Sequence, residues 1–327
     1  MPKKIRWGVL GNAKIAREKV IPAMQRGELC EVVAMASRHP EAAQPVAEAL
    51  GIATVHASYE ALLADPSVDA IYNPLPNHLH VPWSIQAAAA GKHVLCEKPI
   101  ALSAEETLTL IAARDQYGVK IGEAFMARTH PQWAYAHQLA NTGALGELRL
   151  VLGGFSYFNR KPENIRNNAE WGGGALMDIG CYPVTLSRML FGAEPLSVAA
   201  SLERDPDFGI DRFTSAILNF SGGRQCVFSC ATQLAPFQRM FLLGTTGKLE
   251  IEIPFNAPPD RPCRVRLNDE DWSEIPTADQ YTIQGDLFSQ AILNDSEVPV
   301  PLEDALNNMR AIEAIFRSAH EGRTIAL

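Results

Sequence analysis

Two hydrophobic rhythms divide the chain. From residue 4 to about 122, short apolar runs alternate with segments whose apolar positions recur at helical spacing. The runs are "IRWGVLG", "EVVAMAS", "ATVH", "DAIYN", "HVLCE" and "VKIGEAF". Between them the spacing predicts helices to about Gln25, over His39–Leu50, Tyr59–Ala64, His80–Ala90 and Ser103–Tyr117. Near-continuous apolar strands separated by helices imply a parallel sheet covered on both faces. Beyond residue 122 long strand-like runs follow one another: "ELRLVLGGFSYF", "SVAASLER", "RFTSAILNF", "RQCVFSCATQ", "RMFLLGTTGKLEIEI" and "CRVRL". Helices are predicted only over Gly174–Leu190, Gln284–Leu293 and Leu302–Ala319. The expected fold is therefore α/β: a doubly wound Rossmann domain over 1–122, then an α+β domain over 123–327 with a large, mostly antiparallel open sheet.

Bulk properties narrow the function. The chain has 327 residues with 29 Lys and Arg against 37 Asp and Glu, a formal charge of −8. A nucleic acid or an anionic membrane gains nothing from that balance, so neither is an expected partner. No apolar run reaches the roughly 18 residues of a spanning helix. The N-terminal "MPKKIRWGVLG" enters an apolar strand at once, without a signal-peptide core, which predicts a cytoplasmic protein. Six cysteines at 30, 96, 181, 226, 230 and 263 form no CxxC pair and read as reduced, buried thiols. Cys226 and Cys230 can share one strand face, but zinc needs two further ligands nearby, so no metal is expected.

Candidate chemistry begins at the first turn, "GNAKIA", Gly11 to Ala16. It is a weakened dinucleotide fingerprint, G-x-A-x-x-A, in which Gly11 makes the tight turn and Ala13 and Ala16 stay small. Short Gly/Ala turns after strands are common, so position supplies the weight: the turn lies between a first strand and a first helix, where the helix N-terminus can hold phosphate. Gly11, Asn12, Ala13 and Ile15 are the cofactor candidates of this turn. The second strand ends in Ser37 and Arg38, where a site for NAD would carry a carboxylate for the ribose. A hydroxyl and a guanidinium suit a 2′-phosphate, which favours NADP over NAD; the plain alternative is a solvated arginine at a strand end.

Three further motifs stand out. "IYNPLPNHLH" sets a rigid turn at the carboxyl edge of the sheet and adds Asn73, Pro74, Leu75, Asn77 and His80 to the cofactor candidates, although Asn77 also reads as an N-cap and His80 as a surface helix residue. In "CEKP", Glu97 and Lys98 leave a buried strand, and Pro99 pushes Lys98 toward an extended conformation that aims its ammonium. "EWGGGALMDIGCYPV" leads three glycines into a helix with Asp178 and Tyr182 four residues apart, hence on one face. A phenol beside a cation such as Lys98 can act as acid or base; the alternative is an ordinary polar pair on an exposed helix.

With these motifs on the page, the sequence resembles the Gfo/Idh/MocA family of oxidoreductases over essentially its whole length. The resemblance rests on "GVLGNAKIA", "NPLPNHLH", "EKP" at 97–99, "EAFMARTHPQW" and "GGGALMDIGCY". It implies catalytic roles for Lys98, Asp178 and Tyr182, and an NADP-dependent transfer of hydride to or from a sugar or related polyol, as in aldose dehydrogenases. A trans-dihydrodiol dehydrogenase or a 1,5-anhydrofructose reductase is the enzymatic alternative; a non-catalytic sugar- or NADP-sensing regulator is the alternative of another class. Trp171 stands where a smaller aliphatic residue is expected, and it joins Arg166, Asp178 and Tyr281 as a substrate-side candidate. Arg128 is a further cofactor candidate. Lys98 is expected to face Asp178 and Tyr182 across a cleft between the domains. The long second-half strands, short of helices to cover both faces, predict a homodimer or dimer-based oligomer through that sheet.

Overall fold

The computed structural model describes residues 3–327, which pack into two compact units. The first comprises residues up to Met126 together with Asp279–Leu306. Its parallel sheet is built from β1 (Ile5–Leu10), β2 (Cys30–Ala36), β3 (Thr54–His56), β4 (Ala70–Asn73), β5 (His93–Glu97) and β6 (Ile121–Ala124). The strand order is β3-β2-β1-β4-β5-β6, which reverses direction beside β1 and so opens a crevice at the carboxyl ends of β1 and β4. Helices α1 (Ile21–Arg26), α2 (Pro40–Leu50), α3 (Tyr59–Leu63), α4 (His80–Ala89) and α5 (Ala104–Tyr117) make the crossovers.

Local chemistry accounts for where these helices start and stop. Ser103 caps α5 by accepting from the Glu106 N–H at 3.1 Å, while the Glu106 carboxylate accepts from the Leu102 N–H at 2.8 Å. Gly118, at φ 63°, ends that helix in the left-handed region. The first helix departs from the expected plain α form: a π-type turn occupies Ala16–Val20 before α1 begins.

The structure departs from a single boundary at 122. Helix α8 (Gln280–Leu293) belongs to the first unit, although the expected division assigned all of 123–327 to the second. Burial decides this. Phe288 packs on the fully buried Trp7 of β1, and the Trp7 indole N–H donates to Ser289 Oγ at 3.1 Å. Asp286 accepts from the backbone N–H groups of Glu28 and Leu29, and Pro301 bridges to Gly122 of β6. Burying one such aromatic is worth roughly 1.5–3 kcal/mol, more than a typical net hydrogen bond of about 1 kcal/mol, so the aromatic pair is the larger anchor. Asp279 caps α8 by accepting from the Tyr281 N–H at 2.9 Å, which starts the helix four residues before the expected Gln284.

The second unit holds Ala127–Ala278 and Asn307–Leu327. It contains α6 (Pro131–Asn141), β7 (Leu148–Phe158), α7 (Cys181–Phe191), β8 (Ser197–Arg204), β9 (Asp211–Asn219), β10 (Gln225–Ala231), β11 (Gln233–Gly244), β12 (Lys248–Ile251), β13 (Cys263–Leu267) and β14 (Ser273–Ile275). Helix α9 (Leu302–Glu321) begins in the first unit and continues here, ahead of β15 (Ile325–Ala326). The nine strands run β14-β13-β12-β11-β7-β10-β9-β8-β15, antiparallel except for the β7–β10 pair. Helix α6 has no counterpart in the expected element list; Pro131 sits at its first turn and His130 Nδ1 accepts from the Gln132 N–H.

Alternation along these strands separates the faces. Val151, Phe155, Phe228, Met240 and Leu242 are buried on the side that α7 covers. On the other side Phe237, Leu234 and Phe158 are exposed by 54%, 50% and 65%. Phe237 and Leu234 border an apolar cavity lined also by Leu152, Phe213, Val227 and Phe241. All six cysteines are buried thiols, and burial pushes those of Cys30 and Cys226 up to about 12, which makes them poor nucleophiles.

Candidate active site

In the first unit the carboxyl edge of the sheet is assembled by side-chain staples. Gly11 follows β1 with φ 78°, and its N–H donates to Ala36 O at 2.7 Å. A Cβ there would lie 3.0 Å from Leu75 Cδ2 and 3.5 Å from the Tyr59 hydroxyl. Only glycine accepts both that conformation and that approach. Asn12, Ala13 and Ile15 are half-buried beside it, so the turn offers backbone and small side chains, which fits the pyrophosphate of a dinucleotide.

Ser37 is buried and its Oγ accepts from the His39 N–H at 3.0 Å, closing the turn after β2; Arg38 is exposed next to it. The Arg38 charge, second to burial, lowers the pKa of His78, so these two basic groups share one neighbourhood although 40 residues apart in sequence. His78 is a neighbour that the sequence motifs did not single out.

The "NPLPNHLH" turn is held from within. Asn73 is fully buried; its Nδ2 donates to His80 O at 3.0 Å and to Ser84 Oγ at 3.1 Å, and its Oδ1 accepts from the Leu75 N–H at 3.3 Å. Pro74 and Leu75 are buried, and Asn77 is half-buried in a 3-10 turn, Asn77–Leu79, whose preceding residue is Pro76. His80, a cofactor candidate whose plain alternative was a surface helix residue, is 1% exposed. Its Nδ1 lies 2.8 Å from Pro99 O and its Nε2 2.7 Å from Leu75 O. Burial pushes the imidazole down to about 4 against the pull of the two carbonyls, so it is neutral at pH 7. A neutral ring has a single N–H, so it donates to one of the two carbonyls while the other lies against the bare nitrogen; with a carbonyl oxygen within 2.8 Å of each nitrogen, the ring sits between the Leu75 turn and the Pro99 turn. Sequence spacing missed this because it could not see Pro99 arrive from the next strand.

The "EKP" turn lies on the neighbouring strand end, with a cis peptide bond between Lys98 and Pro99. The buried Tyr72 hydroxyl donates to Glu97 Oε1 at 2.7 Å, while the Lys98 N–H donates to Glu97 Oε2 at 3.3 Å. Burial, then the Glu97 charge, pushes the Tyr72 phenol well up. Tyr281 of α8 feels the same carboxylate and is raised for the same two reasons, burial first. Glu97 thus accepts from one phenol while its charge acts on a second, and the Ile100 N–H donates to the buried Glu123 at 2.8 Å. Lys98 is half-buried within this frame. Tyr281, a substrate-side candidate, lies in the first unit.

In the second unit the glycine run has a packing cause. A Cβ on Gly173 would meet the Arg166 and Asn168 carbonyl oxygens, and one on Gly174, at φ 114°, would meet the Asp211 carboxylate. The Asp211 Oδ2 accepts from the Leu176 N–H and the Thr214 hydroxyl, each at 2.8 Å. Burial pushes this carboxyl up to about 6 despite those bonds. It anchors a π-type turn, Leu176–Gly180, where a plain α-helix from Gly174 was expected; α7 starts only at Cys181. Such a turn holds an extra residue and re-aims the side chains that follow.

Asp178 lies in that turn, its side chain 12% exposed. Its Oδ2 accepts from the Tyr157 hydroxyl at 2.6 Å and pairs with Arg166 Nε at 2.8 Å. The Asp178 carboxylate raises the Arg166 pKa, and Tyr157 and Tyr182 add to it. Tyr182 is 3% exposed, with its ring 5.7 Å from Phe155 and 5.2 Å from Phe255. Asp178, Arg166, Tyr182 and Tyr157 therefore form one polar group set in an aromatic wall. Three of the four carry expected roles; Tyr157 does not, and only the β7 alternation that puts it on the face of Val151 and Phe155 could have pointed to it. Trp171, 38% exposed, sits in the turn before the glycines, where its N–H donates to Asn168 Oδ1 at 3.2 Å. Arg128 is half-buried in the 3-10 turn Met126–Thr129.

A parallel sheet of this order with a glycine turn after β1, in a chain whose second unit carries a carboxylate–phenol cluster, has the features of a two-domain nicotinamide-dependent oxidoreductase. Comparison with known proteins agrees. Residues 5–125 match the oxidoreductase family with NAD-binding Rossmann fold, and residues 133–250 match the GFO/IDH/MocA C-terminal domain. The chain belongs to the Gfo/Idh/MocA oxidoreductase family. It is 46% identical to an uncharacterised oxidoreductase of Rhizobium meliloti, over 97% of this chain and 98% of that one. It is 36% identical to a D-xylose 1-dehydrogenase (NADP⁺) of Haloferax volcanii, over 98% and 99%. Among solved structures, a 3-ketoreductase from Actinomadura kijaniata in complex with NADP and TDP-benzene is 31% identical, over 97% and 98%, with a TM-score of 0.92.

Proposed function

We propose that this protein is an NADP-dependent oxidoreductase that transfers hydride between nicotinamide and a carbon of a sugar or related polyol. The observation that carries the reading is the convergence of Tyr157 and Arg166 on Asp178, four residues before the buried Tyr182. The sugar-acting names of the xylose dehydrogenase and the 3-ketoreductase support it. When bound, the dinucleotide supplies the two-electron carrier at C4 of its nicotinamide. The rest falls to the chain. The Gly11 turn holds the pyrophosphate, Arg38 meets the 2′-phosphate, and Glu97 keeps the Lys98 backbone in place. Tyr182 gives or takes the hydroxyl proton, Lys98 stabilises phenolate and alkoxide, and Asp178 orients the substrate hydroxyl. A panel of aldoses, inositols, anhydrosugars and dihydrodiols, scored by NADPH absorbance, tests the assignment. Turnover is expected with a sugar; a dihydrodiol as the sole substrate, or no turnover of any compound, overturns it.

The exposed apolar face of the second sheet is assigned to a second copy of the chain. Phe237, Leu234 and Phe158 stand out from it, and an apolar face of this extent is better covered by a partner than by water. Sedimentation is expected to report a dimer or a multiple of it. A 35.7 kDa species alone at micromolar concentration rules this out.

A further inference from the structure

The Asp178 carboxylate is placed by a residue with no role so far. The Tyr157 hydroxyl and the Arg166 Nε reach the same oxygen, Oδ2, at 2.6 and 2.8 Å. Tyr157 comes from β7, Arg166 from the 3-10 turn Ile165–Asn167, and Asp178 from the π-type turn, so three separate elements meet at one atom. A carboxylate oxygen held by two donors from separate elements cannot swing away without breaking both bonds. Arg166 supplies charge from a side chain that is 41% exposed, whereas the phenol sits on the helix-covered face and is held by the strand. We propose that Tyr157 is a positioning residue, whose hydroxyl sets the orientation in which Asp178 meets the reacting hydroxyl of the substrate.

The proposal rests on the oxidoreductase reading above, and it is not a second acid–base. Burial, with the Asp178 charge behind it, raises the Tyr157 phenol so far that it stays protonated, and thus a donor, at every working pH. Titratable groups around Asp178 include the Cys230 thiol of β10, pushed well up by burial, and Cys181 and Tyr182 of α7. The Cys181 thiol donates to the Asp178 carbonyl. Arg166 and Tyr157 both reach the carboxylate oxygen Oδ2.

The test is Tyr157→Phe, assayed with D-xylose, or the fastest sugar of the panel, and NADP⁺. Loss of one hydrogen bond to a charged group is expected to lower kcat by about ten- to a hundredfold while the KM for NADP⁺ stays unchanged. A carboxylate with one donor fewer is harder to keep ionised, so the acid limb of the pH profile moves to higher pH. In an Asp178→Asn background the same change should cost less than about threefold, because the group it positions is gone. Should Tyr157→Phe fold poorly, 3-fluorotyrosine at position 157 keeps the ring and strengthens the donor, and the acid limb then moves to lower pH. Wild-type kcat with an unmoved acid limb in Tyr157→Phe, or an undiminished loss on top of Asp178→Asn, overturns the inference. A wild type inactive on every sugar overturns the functional reading instead, so the two failures are told apart.

Discussion

Lys98→Ala and Tyr182→Phe are each expected to lower kcat by roughly a hundred- to ten-thousandfold, the usual worth of general acid–base help. Combining them should cost little more than the poorer single change, because one proton-transfer unit can be broken only once. The environment of Tyr182 makes its substitution a clean probe. Its ring is packed by Phe155 and Phe255 and is 3% exposed, so phenylalanine keeps the packing and removes only the hydroxyl. Single-turnover and steady-state kinetics across the pH range check this. Near-normal turnover of Tyr182→Phe at all pH values would remove the phenol from the role and leave Asp178 as the remaining proton carrier. His80 is no substitute, since both its ring nitrogens face carbonyl oxygens within 2.8 Å.

The second large effect concerns the cofactor. Arg38→Ala is expected to weaken NADP⁺ by about ten- to a hundredfold and to leave NAD⁺ nearly unchanged, as one charge-assisted phosphate contact is worth roughly 1.5–3 kcal/mol. Arg38 is exposed after β2, and Ser37, whose Oγ accepts from the His39 N–H, keeps its own O–H as a donor. The charge expected to discriminate is that of the guanidinium, with His78 adding to it when protonated. Dissociation constants from NADPH and NADH fluorescence decide it. A wild type that prefers NAD⁺, or an Arg38→Ala variant that loses both cofactors equally, would refute the assignment.

Much of this was legible along the chain. The alternation of apolar runs and helical segments up to residue 122 anticipates the parallel sheet, because each strand is buried on both faces and shows as a continuous apolar run. Helices α2, α4 and α5 lie within a residue of their expected ends, and Pro40, Ser103, Gly51 and Gly118 mark the boundaries of α2 and α5 that local chemistry enforces. Gly11, Lys98, Asp178 and Tyr182 declare themselves as residue types that their positions would otherwise disfavour.

What the sequence by itself determined was the class of each segment and which side chains are candidates for chemistry, because periodicity, caps and turn residues act within a few positions. What only the tertiary structure decided was the company those side chains keep. Tyr157 is 21 residues from Asp178, Tyr72 is 25 from Glu97, and His80 is 19 from Pro99. Each pair is joined by strands that become neighbours, or by a turn folding onto a strand, and no spacing rule spans such distances. The same holds for α8, which follows the second-unit strands in sequence yet belongs to the first unit. Burial of Phe288 against Trp7 outweighs chain order, since a helix goes where its apolar face is removed from water.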